Sequence, residues 1–177
     1  EHIQADNNVP YGSVYFQHWY RDESVAHGLW LAKTTHDFDY INYLAGQVPT
    51  KIIATESKQI FKGDKPAGLK CVDCQEYKTC KDSPFVAKIT RGCVVGEYCA
   101  YAVDTGNMDS GSAMIKYKSG MHASYSQNFF IRNGAGKRGA RVMGYEGTID
   151  FDFYKAELVL HRHHITSSET YKFTDLP

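Results

Sequence analysis

The residues best suited to chemistry lie in one stretch, GLWLAKTTHDFDYINYLAG, between residues 28 and 46. Lys33, His36, Asp37 and Asp39 fall within seven positions of it. A neutral imidazole can accept a proton from a hydroxyl group, and an ammonium group can stabilise the alkoxide that remains. The stretch therefore indicates either the floor of an active site or a helix start with ordinary capping groups.

The same stretch predicts the helix that must position these groups. Its apolar residues recur at helical spacing, at Phe38, Ile41 and Ala45. Thr34 or Thr35 can cap the first turn, and Gly46 stands where a C-terminal glycine belongs. The positive end of the helix dipole favours a neutral imidazole at position 36 and attracts the two aspartates. Of these, we expect Asp39 to order the loop beneath the site.

The bulk composition limits the classes of function. A chain of 177 residues suits one domain, and its 20 basic residues balance 20 acidic ones. This balance argues against nucleic acid or an anionic membrane as the main partner. Thirteen tyrosines and 14% aromatic residues suit sheets and sugar-binding clefts. The ends, EHIQADNN and FTDLP, look cut, so we expect a fragment of a longer, cytoplasmic protein.

Alternating patterns indicate a β-rich fold. Segments with strand character lie at residues 12–21, 50–63, 112–130, 137–153, 156–164 and 169–173. They predict about six to eight strands, joined mostly by hairpins. With one helix, this pattern predicts an α+β fold with a large, mainly antiparallel open sheet and the helix packed on one face, in two layers. The other face must be buried against something.

A second group of candidate residues precedes the helix, in QHWYRDES. His18, Trp19, Tyr20 and Arg21 combine stacking surface with hydrogen-bond donors, which is the combination that pyranose recognition uses. The alternative is a half-buried aromatic strand that carries a surface arginine. The later run HRHH, at residues 161–164, lacks nearby carboxylates and does not favour a metal site.

The five cysteines lie in a loop-rich region between residues 64 and 104. Their odd number is a poor match to a secreted disulfide scaffold. Cys71 and Cys74 have the C-x2-C spacing that binds one ion, and Cys80 is close enough to be a third ligand. The region is therefore either a small zinc-bound insert or a long loop with free buried thiols.

Several segments together resemble one family. LAKTTHDFDYINYLAG is similar to the helix that opens the C-terminal domain of the glucose–fructose oxidoreductase/inositol dehydrogenase (Gfo/Idh/MocA) family. There a histidine, two spacers and an aspartate precede an apolar helix that ends in Leu-x-Gly, which His36 and Asp39 match. CVDCQEYKTCKDSPF resembles the cysteine-bearing insert of one branch. CAYAVDTGNMDSGSAMIKYKSGMHASYS and GYEGTIDF are similar to the segments that follow it.

The resemblance implies an N-terminal Rossmann domain that holds NAD or NADP and is absent here. Residues 1–177 would then be the substrate-binding and oligomerisation domain, with the cysteine-bearing insert at about 64–104. This agrees with the absence of a G-x-G-x-x-G turn that follows a strand and opens a helix. The sequence also lacks a P-loop, a G-x-S-x-G elbow and an H-E-x-x-H motif.

The resemblance also implies an activity and site residues. The reaction would be hydride transfer on a sugar, cyclitol or sugar derivative. The open sheet face would pack against a second subunit, in a homo-oligomer, or against the Rossmann domain. Lys33 and His36 become the catalytic candidates. Much of the family has an aspartate four residues before the histidine, where this chain has Ala32, as in the cysteine-bearing branch. Cys99 becomes the fourth zinc ligand, because it matches the family segment, and Cys93 is extra.

Two other functions stay open on the sequence. NAD-dependent glycoside hydrolases of the same superfamily oxidise, eliminate and reduce again. A non-catalytic sugar-binding or dimerisation module is the other alternative.

Overall fold

An eight-stranded sheet organises the chain. The computed structural model describes residues 1–86 and 96–174. The strands are β1 (His2–Asn8), β2 (Pro49–Ser57), β3 (Ser110–Tyr117), β4 (His122–Asn128), β5 (Lys137–Met143), β6 (Gly147–Asp152), β7 (Glu157–Arg162) and β8 (Ser167–Lys172). Their order is β2-β3-β4-β1-β5-β6-β7-β8, and neighbours are antiparallel except β1 with β4. The predicted α+β fold with a mainly antiparallel open sheet is confirmed.

Three helices connect β1 to β2. They are α1 (Glu23–Ala26), α2 (Gly28–Ala32) and α3 (Thr35–Ala45). α3 is the helix that the sequence predicts, and Gly46 ends it in the left-handed conformation, with φ of 62°. Glycine adopts this conformation without the steric cost that a Cβ imposes. Ile41 of α3 is fully buried against the sheet, which makes the second layer.

Alternation along β1, β3 and β4 directs one set of side chains towards α3. The buried set includes Ile3, Ala5, Ala113, Ile115, Tyr117, Ala123 and Tyr125. A slip of one residue would expose this whole set, so burial fixes the register of the strands. Polar and flexible side chains are exposed on the opposite face, among them Gln4, Ser112, Met114, Lys116 and Ser126.

The predicted strand at residues 12–21 is wrong. The chain there forms two 3-10 turns, Gly12–Phe16 and Trp19–Arg21. At the start of the first turn, a Cβ on the glycine would lie 2.0 Å from the carbonyl oxygen of Phe129. The turns bury aromatic side chains on several sides, and Phe16 stacks on Phe61 with ring centroids 4.2 Å apart. The aromatic residues of this segment therefore pack into a second core cluster and do not alternate along a strand.

Residues 58–109, here called the excursion, connect β2 to β3. Its described parts, 58–86 and 96–109, contain one short 3-10 turn, Cys71–Asp73, and two isolated bridges. The bridges pair Lys65 with Ala102 and Lys70 with Tyr98. This agrees with the loop-rich region that the sequence predicts. Within the part of the chain that the structure describes, no helix is long and apolar enough to cross a membrane.

Candidate functional site

Lys33 and His36 lie at the junction between α2 and α3. Lys33 directly follows α2 and is half-buried, with its Nζ 5.5 Å from the centroid of the Tyr15 ring. His36 lies in the first turn of α3 and is exposed. An ammonium group over an aromatic face can bind a hydroxyl oxygen, and an accessible imidazole close to it in sequence can take up the hydroxyl proton.

The residues that directly follow Lys33 and His36 in the sequence are buried instead. Thr34 and Asp37 are fully buried, whereas His36 is exposed and Lys33 half-buried. Thr34 is the residue before α3, but its side chain does not cap the helix; its Oγ1 donates to Gln127 Oε1 over 2.5 Å. The junction therefore leaves the two candidate catalytic groups accessible, while Thr34 and Asp37 between and beside them are buried.

Three of the four predicted substrate-binding residues form one aromatic cluster with Tyr15. The Trp19 and Tyr20 rings stack with centroids 3.7 Å apart. Tyr20 also lies 5.0 Å from Tyr15 and 5.3 Å from His18. The aromatic cluster (Tyr15, His18, Trp19 and Tyr20) therefore leads from the exposed Trp19 to the ammonium group of Lys33. Tyr15 was not predicted from the sequence, because the alternation of residues 12–21 indicated a strand and gave no reason to single it out.

The His18 ring is half-buried, and one of its two nitrogens is shielded from solvent. Burial lowers the pKa of its ring below the ordinary value of 6.5, so the ring is neutral at pH 7. Its buried Nδ1 has no hydrogen-bond partner within residues 1–86 and 96–174. A neutral imidazole nitrogen can donate to or accept from a sugar hydroxyl.

Arg21 is not part of the aromatic cluster. It is buried, and its Nη2 lies 2.5 Å from Asp104 Oδ1 in the excursion. Its guanidinium carbon lies 4.6 Å from the centroid of the Tyr98 ring. Burial alone would raise the pKa of Asp104, but the hydrogen bonds from Arg21 and Gly68 outweigh it and lower that pKa. The alternative of a surface arginine is therefore wrong, because Arg21 is buried and forms an ion pair with the partly exposed Asp104 of another segment. Its predicted role in substrate binding stays a prediction.

The excursion supports the backbone beneath the aromatic cluster. Asn107 Nδ2 donates to the carbonyl oxygen of Tyr20 over 2.7 Å and to that of Tyr15 over 3.3 Å. The backbone N–H of Tyr98 donates to the carbonyl oxygen of Gln17 over 3.0 Å. At Gly96, a Cβ would lie 2.3 Å from the same Gln17 backbone, so only glycine fits this approach. The excursion therefore supplies the hydrogen bonds to these backbone carbonyl groups that a neighbouring strand would otherwise make.

The predicted zinc site in the excursion is not supported. Cys71, Cys74, Cys80 and Cys99 are free thiols. Within residues 1–86 and 96–174, no group of three or more His, Cys, Asp or Glu side chains is arranged to hold a metal ion. Burial, helped by the neighbouring thiols, raises the pKa of Cys71 to about 11, which keeps it protonated at pH 7. Cys93 lies outside the described residues.

Three glycines have the spacing of a dinucleotide fingerprint but not its structure. Gly134, Gly136 and Gly139 lead into strand β5 rather than into a helix. A Cβ at Gly136 would lie 2.7 Å from the Pro10 ring, and one at Gly139 would lie 1.9 Å from the carbonyl oxygen of Phe151. These glycines allow close packing, and no helix N-terminus follows them to bind a pyrophosphate. This turn does not fit the nucleotide part of NAD or NADP.

A model of the GFO/IDH/MocA C-terminal domain matches residues 1–150. The chain belongs to this family. The resemblance that the sequence suggested is therefore confirmed. No curated protein sequence matches the chain.

Solved structures with the same fold are oxidoreductases. UDP-N-acetylglucosamine 3-dehydrogenase GnnA from Acidithiobacillus ferrooxidans is 12% identical, with a TM-score of 0.58 over 99% of this chain and 40% of that one. Levoglucosan dehydrogenase in complex with NADH and levoglucosan is 15% identical, with a TM-score of 0.63 over 97% and 39%. An oxidoreductase domain protein from Kribbella flavida is 13% identical, with a TM-score of 0.63 over 98% and 40%. The chain thus spans about 40% of the length of such proteins.

Proposed function

We propose that residues 1–177 are the substrate-binding domain of a longer NAD(P)-dependent oxidoreductase that oxidises a hydroxyl group of a sugar, cyclitol or sugar derivative. The observation that carries this proposal is the position of the Lys33 ammonium group over Tyr15, at the junction that also presents His36. The dinucleotide would be held by the part of the protein outside this chain, because the glycine-rich turn of this chain leads into a strand.

The chemistry of the site follows from the two groups at the junction. A nicotinamide cofactor, when bound, accepts the hydride from the sugar carbon. The imidazole of His36 takes up the hydroxyl proton, and the ammonium group of Lys33 stabilises the negative charge that develops on the same oxygen. The cation of Lys33 lies over an aromatic ring, which can position it, and within residues 1–86 and 96–174 it forms no salt bridge with a carboxylate.

The aromatic cluster supports a carbohydrate as the substrate. Aromatic faces pack against the apolar C–H faces of a sugar ring, while polar groups at their edges bind its hydroxyls. Trp19 is 55% exposed, so its ring is accessible to a ligand. Two of the similar structures are dehydrogenases named for sugar substrates, UDP-N-acetylglucosamine and levoglucosan, and we extend that substrate class to this chain.

The open sheet face supports a second proposal, that the enzyme is a homo-oligomer joined through this face. The face is not covered by any helix of the described residues, and it exposes Met114 on β3 and Ile53 on β2. Sedimentation of the full-length enzyme with Met114→Arg tests it. We expect dissociation to smaller species, and an unchanged oligomeric state would contradict it.

The test of the proposed activity is turnover by the full-length enzyme. NAD⁺ and NADP⁺ are screened against a panel of sugars, cyclitols and nucleotide sugars, with reduced nicotinamide as the readout. Lys33→Met and His36→Asn should each lower kcat about 10²- to 10⁴-fold, the usual contribution of a positioned acid–base group. Unchanged turnover by both variants would indicate that residues 1–177 are a non-catalytic sugar-binding module. Release of sugar from a glycoside without net NADH formation would instead identify the glycoside hydrolase.

A further inference from the structure

Asp37 is a buried charge with a complete set of hydrogen-bond donors. It has no solvent exposure. Its Oδ1 accepts from Arg138 Nε over 2.8 Å and lies 2.7 Å from Arg138 Nη2. Its Oδ2 accepts from Asn7 Nδ2 over 2.7 Å and from the hydroxyl of Tyr125 over 2.8 Å. The donors come from β1, β4 and β5, so one carboxylate ties the first turn of α3 to three neighbouring strands.

A second anchor lies on the other side of His36, next to Lys33. The hydroxyl of Thr34 donates to Gln127 Oε1 over 2.5 Å. Gln127 is on β4, two residues from Tyr125, and its Oε1 lies 3.4 Å from the Tyr125 hydroxyl. Burial and the nearby charge of Asp37 raise the pKa of Tyr125, so its proton stays available for the bond to Asp37. The two anchors therefore belong to one hydrogen-bonded group.

The anchors alternate with the candidate catalytic residues along the chain. Thr34 follows Lys33 directly, and Asp37 follows His36 directly. Each outward group is therefore one peptide unit from a side chain that is fixed to the sheet. Asp37 itself touches neither the aromatic cluster nor an exposed surface, so its charge is not available to a substrate.

We propose that Asp37 is a positioning residue, which sets the relative orientation of Lys33 and His36 through its bonds to Arg138, Asn7 and Tyr125. This inference rests on the proposed function, because it concerns the same site. A displacement of about 1 Å in a reacting group can lower a rate by about 100-fold. Asp37→Asn keeps the size of the side chain but removes its charge. It also replaces one acceptor oxygen by a donor, which must face either Arg138 or the Asn7 and Tyr125 donors.

The structure also offers a matched control. Asp109 is likewise fully buried, and its Oδ2 accepts from the backbone N–H groups of Gln59, Ile60 and Phe61. It anchors the start of the excursion rather than the α2–α3 junction. Asp109→Asn therefore removes a buried carboxylate of the same kind without touching Thr34 or Asp37.

The experiment measures kcat and KM of the full-length enzyme with Asp37→Asn, Asp109→Asn and Thr34→Val. All are assayed well below the midpoint of thermal unfolding of the least stable variant. We expect Asp37→Asn to lower kcat about 10- to 100-fold with KM changed less than 3-fold, because the loss is one of orientation. Thr34→Val should lower kcat about 3- to 10-fold for the same reason. Asp109→Asn should lower the unfolding midpoint and leave kcat unchanged.

The outcomes separate this inference from the proposed function. If Lys33→Met and His36→Asn abolish turnover but folded Asp37→Asn turns over like the unmodified enzyme, the positioning role is wrong and the proposed function stands. An equal loss of kcat in Asp109→Asn would also overturn it, since the effect would then be general loosening. If Asp37→Asn does not fold, Thr34→Val decides: full activity in that variant contradicts the inference.

Discussion

Two regions hold the candidate site, and they are built in different ways. The α2–α3 junction is held by side chains: Asp37 and Thr34 bond to side chains of β1, β4 and β5. The turns that carry the aromatic cluster are held through their own backbone, whose carbonyl groups accept hydrogen bonds from the excursion. The first region should therefore be sensitive to single substitutions of its anchors. The second should depend on how well the excursion is packed.

The largest effect is expected at the junction. Asp37→Ala leaves Arg138 without its carboxylate partner and removes the acceptor of the Tyr125 hydroxyl. Breaking a buried ion pair in this way costs about 3–5 kcal/mol of unfolding free energy. Urea denaturation, followed by circular dichroism, measures the loss. A loss no larger than that of an exposed substitution would show that the buried charge does not anchor α3.

A smaller loss is expected where the excursion supports the aromatic cluster. Asn107→Ala leaves the carbonyl oxygen of Tyr20 without its donor, which costs about 1–3 kcal/mol for a buried group. The turn that carries the cluster should loosen, so KM should rise while kcat changes little. Asn107→Asp offers a control of similar size that can no longer donate when it is ionised. If kcat falls and KM is unchanged, the two regions do not differ in the way described.

Substitutions within the aromatic cluster should change KM, whereas substitutions at the junction should change kcat. Trp19→Leu should raise KM about 5- to 10-fold by removing a ring that packs on the sugar, an interaction of about 1 kcal/mol. Because Trp19 is 55% exposed, its replacement should change stability by less than about 0.5 kcal/mol. Steady-state kinetics and thermal unfolding give both values. An unchanged KM for every sugar tested would remove Trp19 from the binding surface.

The smallest effect concerns the ion pair that links the two segments. The pKa of Asp104 is lowered below its ordinary value of 3.8, so the pair stabilises the folded state above that pH. Its contribution is lost as the pH falls through the lowered pKa. Since the Asp104 side chain is 36% exposed, Asp104→Asn should cost about 1 kcal/mol or less at pH 7. The difference between the two proteins should shrink as the pH is lowered below 3.8 and the carboxyl becomes protonated, measured by urea denaturation.

The sequence predicts the parts of the fold whose pattern is local. The helix from Thr35 to Ala45 has helical periodicity and a terminal glycine, and the β3–β4 hairpin alternates strictly, so both are confirmed. Residues 12–21 also alternate, but their structure is decided by partners that are distant in sequence. The carbonyl of Tyr20, for instance, is bonded by a side chain 87 residues away.

The same distinction applies to the candidate site. Lys33 and His36 could be singled out because they are close in sequence and lie at a helix start. The burial of Asp37 was not predicted. Asp37 precedes Ile41 by four residues and so lies on the apolar face of α3, but its partner Arg138 is 101 residues away and no local pattern identifies it. Arg21 has a side chain that is common in binding sites. The sequence could not show that it forms an ion pair with Asp104, because Asp104 approaches it from the excursion.

The most direct test of the central claim is a structure of the full-length enzyme with its nicotinamide cofactor and the sugar identified by the turnover screen. One hydroxyl oxygen of the sugar should lie within about 2.6–3.2 Å of both a ring nitrogen of His36 and the Nζ of Lys33. The carbon bearing that oxygen should face the nicotinamide ring. A sugar bound against the aromatic cluster with both of those side chains more than about 5 Å from every hydroxyl would contradict the account.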